Sequence, residues 1–235
     1  MTEHEWLNCA DVDALLFELS SRAGVSERKL RLFALACAQR VWHLMPPLES
    51  EYKQPADAIA AAERRADAAG PAATAADAEL YGTIAACCAT YAAAAVAAAD
   101  RDPGEAAGCA VHAVYCTAML TGFGVADAPA VVWSEAGAAG LYEEPELDAA
   151  ERSAQERLLR DIFGNPFRSR TALATTRDVV GLAQSIDVDR TFGDLRKLAD
   201  ALEAAGCRDT DILDHCRDGG EHVRGCWVID LLLGK

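Results

Sequence analysis

Leu80-Tyr-Gly-Thr-Ile-Ala-Ala-Cys-Cys-Ala-Thr-Tyr-Ala-Ala-Ala-Ala-Val-Ala-Ala-Ala99 and Ala106-Ala-Gly-Cys-Ala-Val-His-Ala-Val-Tyr-Cys-Thr-Ala-Met-Leu-Thr-Gly-Phe-Gly-Val-Ala126 decide the fold class. Asp100-Arg-Asp-Pro-Gly104 lies between them. The two arms run for 20 and 21 residues without a charged side chain. Alanine has the highest helix propensity, so each arm reads as a helix. A short polar turn between two helices makes an αα-hairpin. About 20 apolar residues can also cross a bilayer. Alanine inserts weakly beside Leu, Ile or Phe, however, and the arms carry Tyr, Thr, Gly and His. No Lys or Arg cluster flanks them to set a topology. The hairpin is therefore expected inside a helical protein, covered on most sides by other helices.

Outward from the hairpin the same period continues. A helix is expected over 11–20. Another follows Ser26, with the stripe Leu30, Phe33, Ala34, Cys37, Val41 and Leu44 at three- and four-residue spacing. Met45-Pro46-Pro47 is expected to end it. Further helices are expected over 55–69, 146–163, 176–186 and 192–205, then from an Asp209 or Thr210 cap to Cys216, and over 226–233. Gly164-Asn-Pro166 and Gly206 read as helix stops. A β-like patch occurs only at 130–133. The chain reads as all-α, a helical bundle built around the Ala-rich hairpin with a smaller C-terminal helical unit. The expected divisions are 1–125 for the bundle, 126–145 for an acidic loop with Gly and Pro, and 146–235 for the C-terminal unit.

The net charge is −15 over 235 residues. It is unevenly spread. Residues 66–150 hold Arg101 against 12 acids, or −11, while each flanking part is near neutral. Such a segment cannot neutralise phosphates, so direct nucleic-acid binding is not expected. An anionic membrane would repel it. A basic protein surface would attract it. Nine cysteines is an odd count, and the N-terminus lacks the pattern of a secretory signal. Both point to free thiols in a cytoplasmic protein.

No G-x-S-x-G, H-E-x-x-H or G-x-x-x-x-G-K-[ST] is present, so no enzyme class is read from the chain. The densest reactive segment is His215-Cys-Arg-Asp-Gly-Gly-Glu-His222-Val-Arg-Gly-Cys226-Trp227. Imidazoles and thiolates are zinc ligands, and a structural zinc site takes four. His215, Cys216, His222 and Cys226 are thus the candidate metal ligands, with zinc the candidate ion. The plainer alternative buries Cys216 and Cys226 as small hydrophobes. A weaker constellation is Cys109, His112 and Cys116 on one helix face. Cys109 and Cys116 are about 10.5 Å apart along that helix, too far to share an ion. Counting back from the turn sets Cys116 near Cys88, so Cys88, His112 and Cys116 form the remaining possibility, against thiols simply packed among alanines. Three D-x-D pairs occur. Asp11/Asp13 and Asp209/Asp211 read as helix caps, and Asp187/Asp189 as a solvated loop.

Ser26-Glu-Arg-Lys-Leu-Arg-Leu-Phe-Ala-Leu-Ala-Cys37, Leu158-Leu-Arg-Asp-Ile-Phe-Gly-Asn-Pro-Phe-Arg168, Leu198-Ala-Asp-Ala-Leu-Glu-Ala-Ala-Gly-Cys207 and His222-Val-Arg-Gly-Cys-Trp-Val-Ile-Asp-Leu-Leu-Leu-Gly-Lys235 resemble the motifs of a group of uncharacterised bacterial proteins. They cover about a third of the chain. The resemblance implies no activity. Paired cysteines are frequent in that group where this chain has Cys37-Ala38.

Three functional expectations follow. The first is a non-catalytic interaction or scaffold protein that offers its acidic surface to a protein partner. The second is an enzyme or sensor with a metal or thiol Cys/His site. The third is an acidic mimic of nucleic acid, or an inhibitor.

Overall fold

The structure, a computed structural model, describes residues 1–22, 25–44, 55–68, 75–99, 101, 102, 104–106, 109, 110, 112, 113, 116, 147–168 and 176–235. Its elements are α1 (Glu3–Asn8), α2 (Val12–Ser20), α3 (Glu27–Val41), a 3-10 turn (Trp42–Leu44), α4 (Pro55–Asp67), α5 (Ala75–Ala98), α6 (Ala149–Phe163), α7 (Arg177–Asp189), a second 3-10 turn (Phe192–Asp194), α8 (Leu195–Ala204), α9 (Thr210–Arg217) and α10 (Trp227–Leu233). Among the described residues the protein is all-α, with no strand. No helix among them is long and apolar enough to cross a membrane. The Met45-Pro46-Pro47 stop, the 126–145 loop, the 130–133 patch and the far end of the second hairpin arm lie outside the described residues. Two compact units result, Met1–Glu156 and Arg157–Lys235, with the division inside α6.

In the first unit α5 is central and packs against α2 and α3. Its Ala85, Ala89, Ala92, Ala93 and Ala95 are fully buried, as are Leu15, Leu30, Phe33 and Cys37 on the helices around it. Small side chains let these backbones approach closely. Beyond the turn, the described residues between 104 and 116 are helical. Tyr91 of α5 stacks on His112 at 4.8 Å between ring centroids. The Cys88 thiol donates to the carbonyls of Ala34 and Ala113, each at 3.2 Å. The start of α6 adds a polar layer to this core. Arg40 Nε donates to both carboxylate oxygens of buried Glu151 at 2.9 Å. Gln155, fully buried, donates to the Ala89 carbonyl at 2.9 Å.

The expected caps are present: Ser26 accepts from the Lys29 N–H, and Asp11 from those of Asp13 and Ala14. One helix went unanticipated. Thr2 and Glu5 form a reciprocal capping box at the start of α1, which buries Trp6.

The second unit closes around Val179, Ala183 and Ile186 of α7, Leu195, Leu198 and Leu202 of α8, Ile212 and Cys216 of α9, and Val228 and Ile229 of α10. Gly164 (φ 63°) and Gly206 (φ 97°) end their helices in the left-handed conformation, as expected of the stops. Asp209 caps α9 through the Asp211 N–H. The Asp187/Asp189 segment is not a solvated loop. α7 runs on to Asp189 and ends at Arg190 in the left-handed conformation. Asp187 is buried there and accepts from Lys235 Nζ at 2.5 Å, because the chain's last residues fold back over α7.

Candidate metal centre

Four donors converge in the second unit. Asp161, His215, His222 and Cys226 each offer one ligand atom, all within 4.8 Å of one another. Each reaches the centre for a local reason. Asp161 lies in the last turn of α6, ahead of the Gly164 stop. His215 sits on α9 beside the apolar face of Ile212, Leu213 and Cys216, so it meets the edge of the core half-buried. His222 and Cys226 flank a tight turn. Gly225 takes φ 93°, which a side chain would strain, and the Cys226 N–H closes the turn on the Val223 carbonyl at 3.0 Å. Cys226 thereby becomes the N-cap residue of α10 and is fully buried.

The Asp161 carboxylate organises the group. Its Oδ1 stands 2.6 Å from His222 Nδ1 and 3.1 Å from His215 Nε2. Its Oδ2 accepts the backbone N–H of Val223 at 2.9 Å. One oxygen is thus held by the backbone while the other faces the imidazoles. His215 Nε2 also lies 3.2 Å from Cys226 Sγ. The outer nitrogen of His222, Nε2, points to the Asp218 carbonyl at 3.4 Å. Metal-binding histidines commonly show this arrangement, with the outer N–H on a carbonyl to fix the tautomer. The His215 ring is packed edge-on to His222 and tilted against Trp227.

Burial pushes the Asp161 carboxyl up, but hydrogen bonds and charge from His215 and His222 bring it below its ordinary value. Burial pushes His222 down, and the contact with Asp161 more than reverses this, so its pKa is raised. The Cys226 thiol is raised well above its ordinary value by burial and by the Asp161 charge, against backbone N–H groups of Ile229 and Val228. It stays protonated unless a cation is beside it.

Zinc bonds of about 2.0–2.3 Å at tetrahedral angles separate donors by about 3.3–3.6 Å. The three closest separations here are 2.6–3.2 Å and the widest is 4.8 Å, so an ion fits once the close donors part and the distant ones draw in. A pocket of about 370 Å³ lies beside the centre, with His222, Arg196 and Glu221 in its wall.

Of the four expected ligands, His215, His222 and Cys226 come together. Cys216 is not in the group: it faces the core of α7–α10, and burial raises its thiol pKa to about 12. Asp161 stands in its place. No local motif announces that residue, since it is 54 positions from His215 along the chain. In the hairpin, Cys88, His112 and Cys116 do not gather. Cys88 is taken up by carbonyls and His112 by Tyr91. The chain matches no protein-family model, no curated protein and no solved structure.

Proposed function

We propose that this chain is a non-enzymatic helical protein whose C-terminal unit is held by one zinc ion on Asp161, His215, His222 and Cys226. The observation that carries the reading is the convergence of one carboxylate oxygen, two imidazole nitrogens and one thiol sulfur within 4.8 Å. Mixed N, S and O donors of this kind suit zinc rather than magnesium or calcium. Four protein donors complete a tetrahedron, which is the pattern of a structural site; a catalytic zinc keeps a position for water. The ligands come from the end of α6, from α9 and from the cap of α10, so an ion would tie three elements of a small unit. Small units gain most from such a staple.

The test is elemental analysis of untagged protein purified under reducing conditions without chelator. About one zinc per chain is expected, lost in Cys226→Ser and His222→Ala. Protein that carries no metal and takes up none on titration overturns the reading. Cobalt substitution adds a check, since a thiolate-to-cobalt charge-transfer band should appear and vanish in Cys226→Ser.

A second reading, compatible with the first, is an interaction protein that meets a basic protein partner. The charge of −11 over residues 66–150 favours it. Its test is a stoichiometric partner retained at low salt and released at high salt.

A further inference from the structure

The pocket beside the metal centre has opposite charges in its wall that the fold leaves unpaired. It lies between the start of α8, with Phe192, Leu195 and Arg196, and the loop after α9, with Asp218, Gly219 and Gly220. Leu195 turns inward with Leu198 and Leu202 and joins the core. Arg196, about 100° further round the helix, is left exposed at the edge. Asp218 follows the last turn of α9 and is exposed too. Their chain neighbours are paired, Lys197 with Asp194, and Arg217 with Asp200 and Glu203. Among the described residues, neither the Arg196 guanidinium nor the Asp218 carboxylate makes an ion pair or a hydrogen bond, with one another or with anything else. Asp218 contributes only its charge, to His222. A Cβ at Gly219 would stand 3.5 Å from Arg196 Nη2, and one at Gly220 would stand 3.5 Å from Asp218 Oδ2. Two adjacent glycines thus leave bare backbone next to each charge, with their Cα atoms about 3.8 Å apart.

We propose that this pocket binds a free α-amino acid with an apolar side chain, its carboxylate on Arg196, its ammonium on Asp218 and its side chain against Phe192 and Leu195. A guanidinium presents a fork of donors that matches a carboxylate. A carboxylate accepts from an ammonium. A plain anion would meet Asp218 and Glu221 in the same wall, and a plain cation would meet Arg196. A ligand with both charges on one carbon answers both sides of the wall. The glycines let its small polar end approach the backbone closely. Leu195 is buried and Phe192 half-buried, which supplies apolar surface for the side chain. A volume of about 370 Å³ is near the lower end for small-molecule sites and suits a ligand of this size. None of these contacts involves a metal donor, so the pocket binds whether or not the centre holds zinc.

The experiment titrates the full chain, as purified, with L-leucine and follows the backbone amide resonances by NMR. The expected result is saturable binding, with shifts centred on Gly193, Arg196, Gly219 and Gly220. N-acetyl-leucine lacks the ammonium and leucinamide lacks the carboxylate. Each should bind about tenfold more weakly, the scale of one lost charge-assisted hydrogen bond. Arg196→Gln should erase the preference for leucine over leucinamide, and Asp218→Asn the preference over N-acetyl-leucine. The analogue series needs no variant to fold. Zinc is counted on the same sample, so metal-free protein that binds leucine overturns the metal reading alone. If neither leucine nor another apolar amino acid shifts these resonances, or if an analogue with a single charge binds as tightly as leucine, the proposal is overturned.

Discussion

Asp161 Oδ1 lies 2.6 Å from His222 Nδ1, in a pocket where Asp161 is almost completely buried. A carboxylate so placed is stable only with donors on both oxygens, and the Val223 N–H supplies the second. The pair therefore pins the turn before α10 to the end of α6, whether or not an ion is bound.

Asp161→Asn removes the charge that both histidines face. It should destabilise the second unit by about 3 kcal/mol, the scale for breaking a buried pair, and abolish zinc binding. Urea denaturation and metal analysis of the purified variant measure the two effects. A variant as stable as the parent would show that the carboxylate does not organise the unit.

The metal-free protein should show a pH optimum from the same pair. His222 is raised above 6.5 when folded, so its contribution is full below that value and is lost as pH rises through the raised folded pKa. Asp161 is lowered below 3.8, so its contribution is full above that value and is lost as pH falls through the lowered folded pKa. The pair's contribution is greatest between those ordinary values. Urea midpoints of chelator-treated protein across pH check this, and His222→Gln should flatten the alkaline limb.

Gly225→Ala places a side chain at φ 93° in the turn that delivers Cys226. The strain should cost about 1–2 kcal/mol. It should also weaken zinc binding more than Gly193→Ala, where an added Cβ meets nothing within 4 Å. Competition with a chromogenic chelator reads the difference in affinity.

Arg40→Ala leaves buried Glu151 without the guanidinium that binds both its oxygens. A loss of about 3 kcal/mol is expected. Adding Glu151→Gln should recover part of it, because the uncompensated charge goes. A double-mutant cycle in urea tests this, and full additivity would contradict the pairing.

Much of the fold was legible because its determinants are local. The Ser26, Asp11 and Asp209 caps act within three residues, and Gly164 and Gly206 stop helices through their own backbone angles. Even the missed α1 carried its signal, the Thr2/Glu5 box. Three of the four donors were legible as well, since His215, His222 and Cys226 share one short segment.

What stayed hidden depends on partners far along the chain. Asp161 joins the donors, and Cys216 leaves them, because the packing of α6 against α9 and the following turn chooses which side chains face one another. Asp187 looked like a loop acid until Lys235, 48 residues on, was seen to pair with it. The amino-acid order by itself determined the helices, their ends, the charge asymmetry and the reactive C-terminal segment, all effects of near neighbours. Tertiary packing alone decided which groups came together as ion pairs and candidate donors, because contact across helices follows from the relative rotation and register of whole elements.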